Sequence, residues 1–86
     1  MSKWYLYILQ CRDNSYYTGI TTDIERRLDQ HNSGTASKYT RSRLPVTLVY
    51  TEEQVSEKTA RKREYEIKRW PRTKKEALTR GASFGP

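Results

Sequence analysis

Arg27 and His31 stand four residues apart in a stretch that reads as an amphipathic helix, and both fall toward its apolar side. Ile24 and Leu28 define the inward stripe; at about 100° per residue, His31 lies about 20° round from Ile24 and Arg27 about 60°. A later helix repeats the anomaly. Glu64 sits between the inward residues Ala60 and Ile67, about 40° from Ala60, whereas Glu66 lies on the solvated side. A carboxylate on the apolar face of a short helix is unfavourable unless it is paired or binds a metal ion. Taken singly, each of the three is better read as structural: a core histidine with a backbone partner, a snorkelling arginine, a glutamate bridged to a cation such as Arg27. Together with the strand tyrosines Tyr5, Tyr7, Tyr16 and Tyr17 they make a set. Arginine clamps a phosphate, glutamate holds a divalent metal, and tyrosine or histidine moves a proton. Those are the parts that phosphodiester hydrolysis needs.

Other chemistries lack their residues. The one histidine and one cysteine permit a Cys–His pair only formally, because Cys11 lies in a strand with no supporting motif. No Walker loop, Gly-x-Gly-x-x-Gly or His-Glu-x-x-His occurs.

The elements that must position these residues follow from pattern. Residues 4–11 are apolar on both faces, Trp4, Leu6 and Ile8 on one, Tyr5, Tyr7, Leu9 and Cys11 on the other, as in a strand covered on both sides. Asp13-Asn14-Ser15 is a turn cluster, and residues 16–20 resume β character, making a hairpin. Thr22 and Glu25 fit a capping box for the first helix, which runs through His31 and closes at Asn32-Ser33-Gly34. Residues 35–45 read as a polar, basic loop with room for one helical turn, and Val46 to Tyr50 as a third strand. Ser56 caps a second helix to Trp70, where Pro71 stops it; Thr73 with Glu76 caps a short last helix to about Arg80. The expected fold is an α/β (α+β) sandwich, ββαβαα, with a three-stranded, mainly antiparallel sheet flanked by helices. It occupies residues 1–80 as a single domain, with 81–86 as a flexible tail.

Composition sets the partner class. The chain carries 17 Lys and Arg against 10 Asp and Glu, a net charge of +7, with ten bases against four acids between residues 56 and 80. Such a domain attracts polyanions, nucleic acid foremost, and its seven tyrosines add stacking faces with polar tips. The lone cysteine excludes an internal disulfide and a multi-cysteine zinc site. No apolar run approaches the ~18 residues of a membrane span. Met1-Ser2-Lys3 runs straight into a strand, with no room for a signal peptide, so a cytoplasmic protein without a membrane partner is expected.

The hairpin and first helix resemble the signature of the GIY-YIG nucleases: Leu6-Tyr7-Ile8 stands for the first tripeptide and Tyr17-Thr18-Gly19 for the second. Arg27 and His31 match the family's helix motif, and Glu64 its late glutamate. Over residues 4–80 the chain resembles the small stand-alone bacterial members. The resemblance implies that Tyr7 is the general base, directly or through water, with His31 as its hydrogen-bond or proton partner. It implies that Tyr17 shapes the site, that Arg27 binds the scissile phosphate, and that Gly19 permits close backbone packing. Glu64 would ligate a single Mg²⁺ or Mn²⁺. The first tripeptide lacks glycine, and Tyr5 shares a strand face with Tyr7, so both remain candidates for the base.

The expected nucleic-acid contacts are Lys38, Tyr39, Arg41 and Arg43 in the basic loop and Arg61 and Lys68 on the second helix, with DNA as the expected partner. Family members that cut specific DNA usually carry a further DNA-binding domain. With none left over here, activity would rest on the structure of the substrate, on a targeting protein, or on weak non-specific contact. Two other readings stay open: a nucleic-acid-binding module of the same fold that does not cleave by itself, and a basic interaction domain whose polar cluster is structural.

Overall fold

The computed structural model describes residues 3–81. Among them the chain runs β1 (Trp4–Gln10), β2 (Tyr16–Thr21), α1 (Ile24–Asn32), α2 (Lys38–Arg41), β3 (Thr47–Gln54), α3 (Glu57–Lys68) and α4 (Arg72–Gly81). The sheet has the order β2-β1-β3, antiparallel throughout, so the apolar strand β1 is central. Being central, it must bury both faces. Tyr7, Leu9 and Cys11 join Val46 in one core with Tyr17, Ile24 and Leu28 packed against it; Leu6 and Ile8 join Ile67 in another with Tyr16, Trp70 and Leu78. Helix α1 therefore covers one face of the sheet, and α3 with α4 the other.

Several boundaries differ from the pattern-based expectation. The third strand runs four residues past Tyr50, through Thr51-Glu52-Glu53-Gln54. Isolated propensity disfavours glutamate in a strand, but pairing along the whole of β1, from Trp4↔Gln54 to Gln10↔Thr47, overrides it. Lys3 and Arg63 neutralise Glu53 and Glu52. The cap of α1 is Asp23, whose side chain accepts from the Arg26 amide, in place of Thr22. The α3 capping box pairs Ser56 with Thr59. Helix α4 starts at Arg72, directly after Pro71, so Thr73 is inside the helix and does not cap it. The helical turn in the basic loop is α2, capped by Ser37. Of the expected tail, Gly81 ends α4, and residues 82–86 lie outside the described residues.

The C-terminal end of α1 is fixed in two ways. Gly34 adopts φ +82°, a left-handed conformation that glycine takes without strain, and reverses the chain. Asn32 brackets the Val46 backbone, accepting from its amide at 2.9 Å and donating to its carbonyl at 3.3 Å. That clamp ties the helix carrying Arg27 and His31 to the strand that completes the sheet.

Candidate active site

Tyr7 and Gly19 are directly opposite each other on β1 and β2. The Tyr7 ring lies across the glycine so closely that a Cβ there would stand 2.5 Å from the phenol oxygen. From this position the Tyr7 hydroxyl reaches His31 Nε2 at 2.8 Å, and His31 Nδ1 reaches Thr40 Oγ1, also at 2.8 Å. The Thr40 hydroxyl in turn donates to the Ser37 carbonyl at 3.3 Å within α2. With its one hydrogen so directed, Thr40 accepts from His31, which assigns the proton to Nδ1 and leaves Nε2 to accept from Tyr7. His31 and Thr40 are fully buried, and Tyr7 is 3% exposed. Tyr5 takes no part in this chain of bonds.

Burial pushes the Tyr7 hydroxyl well above the ordinary phenol range; the neighbouring Tyr17 and Glu64 add to the rise and Arg27 opposes it. Burial, seconded by the Arg27 charge, pushes the His31 imidazole down to about 4. Near neutral pH the free site thus holds a protonated phenol against a neutral imidazole, a donor facing an acceptor.

Arg27 is half-buried on α1, and among the described residues no carboxylate pairs with it. Its charge acts on both Tyr7 and His31. Tyr17 closes the group from β2, its ring 5.0 Å from His31 and 6.4 Å from Tyr7 between centroids. Glu64 arrives from α3, the helix on the other face of the sheet. It lies close enough for its charge to act on Tyr7, because β2 is an edge strand and α3 packs along it. The salt-bridge partner of Glu64 is Lys68 Nζ at 3.0 Å on the same helix, not Arg27. The Glu64 side chain retains 21% of its exposure. Lys68 also stands 5.9 Å over the Tyr17 ring. Tyr7, Tyr17, Arg27, His31 and Glu64 thereby surround one rim of the sheet, with Gly19 beneath.

The basic residues divide into two kinds. Lys38 and Arg41 are exposed on α2. Arg43 is held in place: it bridges Asp13 at 3.1 Å, donates to the Tyr39 carbonyl at 2.8 Å, and lies 3.9 Å over the Tyr39 ring. Tyr39 in turn stacks on Tyr17, with ring centroids 6.1 Å apart. Arg61 is exposed and paired with Glu57 one turn earlier. Two site residues escape sequence reasoning. Thr40 was hidden in a basic loop, where the one signal was that a histidine in a core needs partners for both ring nitrogens. Thr18 is buried, with its hydroxyl unbonded, inside the tripeptide that carries Tyr17 and Gly19.

Among the described residues no three His, Cys, Asp or Glu side chains gather in one place, and no helix is long and apolar enough to cross a membrane. What the fold and this rim define is a GIY-YIG catalytic domain. The model of that family matches residues 3–77, and the chain belongs to it, a nuclease-type family. It is similar to the UPF0213 protein of Halobacterium salinarum, 51% identical over 74 residues covering 86% of this chain and 96% of the relative. The UPF0213 protein of Staphylococcus haemolyticus is 52% identical over 75 residues, with 87% and 92% covered. Among solved structures, the UPF0213 protein BH0048 of Bacillus halodurans superposes with a TM-score of 0.61 at 48% identity, covering 98% of this chain and 88% of that one. The protein EF2693 of E. faecalis gives 0.64 at 41% identity, with 94% and 86% covered.

Proposed function

We propose that the domain is a metal-dependent endonuclease that hydrolyses DNA phosphodiester bonds, directed by substrate structure or by a targeting protein. The observation that carries this reading is the buried Tyr7–His31–Thr40 chain, with the charges of Arg27 and Glu64 acting on the same phenol. Arg27, without a carboxylate partner, would bind the scissile phosphate and stabilise the charge that develops on it. Binding an anion there also offsets the push of Arg27 on His31, so the imidazole becomes a better proton acceptor once substrate is in place. A water placed between Tyr7 and the phosphorus passes a proton to the phenol oxygen as the phenol passes its own to Nε2. The oxygen of that water bonds to phosphorus, the bond to the leaving oxygen breaks, and Thr40 steadies the imidazolium that forms. The raised phenol pKa supports such a relay over a resting phenolate.

The donor set suits Mg²⁺ or Mn²⁺. Mg²⁺ is commonly held through one or two carboxylates plus substrate phosphates and keeps several waters, and Glu64 supplies one carboxylate at the rim. Bound there, such a cation would polarise the phosphate and offset charge on the leaving oxygen. Lys68 must first give up its contact with Glu64. That same contact favours a second reading, a DNA-binding module that does not cleave by itself.

One experiment separates the two. Plasmid, single-stranded and branched DNA are incubated with the protein in Mg²⁺, Mn²⁺ or EDTA, beside Glu64→Gln. Cleavage that needs the cation and disappears in Glu64→Gln, with DNA binding intact or slightly stronger, supports the nuclease. Binding without cleavage on every substrate supports the module. Cleavage at the full rate by folded Glu64→Gln would remove Glu64 from the mechanism.

A further inference from the structure

A cleft of about 270 Å³ opens at the β2 rim, lined by Tyr16, Tyr17, Thr18, Tyr39, Lys68 and Lys75. Its size suits one small planar group and is far too small for a duplex. Thr18 stands apart in this lining. Thr18 is 3% exposed, and its Oγ1 alone among the buried side-chain polar atoms of the described residues has no hydrogen-bond partner. A hydroxyl withdrawn from water and left unbonded is destabilising, so an incoming donor or acceptor that reaches it is favoured. Tyr16, Tyr17 and Tyr39 bring aromatic rings to the lining, Tyr17 stacked on Tyr39 at 28° between ring planes. The two lysines bring positive charge to the mouth, and Lys75 has no carboxylate partner among the described residues.

Aromatic rings, one buried hydroxyl without a partner and two cations in the lining match a nucleobase with its phosphate. A paired base does not expose its face or reach a buried hydroxyl, so the base must be unpaired. The cleft shares Tyr17 with the Tyr7–His31 rim, so an occupant of the cleft lies beside that rim. Resting on the DNA reading above, we propose that this cleft is a subsite for a single unpaired nucleotide of a DNA strand. Its base stacks on the tyrosine wall and bonds Thr18 Oγ1, and its phosphate meets Lys68 and Lys75. The substrate class is then DNA with an unpaired nucleotide beside the scissile bond.

The test is binding in EDTA, where no cleavage is needed. The probe is a DNA duplex carrying a one-nucleotide bulge of 2-aminopurine, compared with the same duplex holding an abasic bulge and with the fully paired duplex. Binding should quench the 2-aminopurine fluorescence, and the abasic probe should bind about tenfold more weakly, the scale of one base stacked on an aromatic ring. Thr18→Val should narrow the gap between base-bearing and abasic probes, whereas Lys75→Gln, which loses a contact to the phosphate that both probes carry, should weaken both about equally. Thr18→Val should melt no lower than the parent, since it removes an unbonded hydroxyl; if it fails to fold, the comparison of base-bearing and abasic probes on the parent still decides. Equal affinity for all three probes, or unquenched fluorescence, would overturn the subsite while leaving the nuclease reading standing. Tighter binding of the RNA version of the bulge would overturn its assignment to DNA. Base preference in EDTA together with no cleavage of the same bulged duplex in Mg²⁺ or Mn²⁺ would sink the nuclease reading alone.

Discussion

Gly19 and Tyr7 share one space: the phenol ring of Tyr7 fills the volume that any side chain at position 19 would need. The contact is a cross-strand pair on the central and edge strands, so the ring is held from below by backbone and from the far end by His31. Glycine is required here for close approach and not for backbone freedom.

Gly19→Ala should therefore act on the site before it acts on the fold. The new methyl meets the terminal atoms of Tyr7, which must swing away from His31. Overpacking of this kind destabilises by about 1–3 kcal/mol. Displacing a reacting group by about 1 Å lowers the rate on the order of 100-fold. Thermal melting and cleavage assays on the same preparation check both. A variant that cleaves like the parent would show that Tyr7 need not touch His31.

Thr40→Val tests the far end of the chain of bonds. Valine keeps the shape and removes the acceptor, so the buried His31 Nδ1–H loses its partner, a loss of about 1–3 kcal/mol. The ring escapes by moving its proton to Nε2, and then it no longer accepts from Tyr7. Nitrogen chemical shifts of His31 should report that change of tautomer, and cleavage should fall with it. Thr40→Ser should restore both tautomer and rate.

The outline of this site was legible because its residues break the patterns around them. His31 in an apolar stripe, Glu64 between Ala60 and Ile67, and the two-faced strand β1 are all visible at the level of period and burial. Their partners were not legible in pattern: His31 as the partner of Tyr7 came only with the family resemblance, and Thr40 came with nothing. Tyr7 meets His31 across 24 residues and His31 meets Thr40 across a loop, and periodicity says nothing of such distances. Local competition hid other details. Thr22 and Asp23 are both good caps, and the chain uses Asp23. Glu64 had several cations within reach of a sequence argument, and its partner is the nearest on its own helix, Lys68.

His31 should also set part of the acid limit of stability. Its folded pKa, about 4, lies below the ordinary 6.5, so the fold favours the neutral ring. The stabilisation is fully present above pH 6.5 and is lost as pH falls through about 4. The full effect is on the order of 3 kcal/mol. Denaturant melts between pH 7 and 4 should show this loss in the parent and lack it in folded His31→Gln. If the relay operates, kcat/KM, which reports the free enzyme, should stay level near neutral pH and fall only as pH approaches 4.

The two kinds of basic residue on and after α2 should separate in a salt titration. Each phosphate neutralised contributes about −0.9 to the slope of log affinity against log salt. Arg41 is exposed, with no ion pair among the described residues, so its charge is available to a phosphate. Arg41→Met should reduce the magnitude of that slope by about 0.9 and leave the melting temperature unchanged. Arg43 is already engaged by Asp13, the Tyr39 carbonyl and the Tyr39 ring. Losing it releases the stack of Tyr39 on Tyr17, so Arg43→Met should lower the melting temperature by a few degrees, about the worth of one hydrogen bond in a domain of this size. Its salt slope should stay near that of the parent. The reverse pattern, a stability loss in Arg41→Met and a slope change in Arg43→Met, would assign the phosphate contact to Arg43 and the structural tie to Arg41.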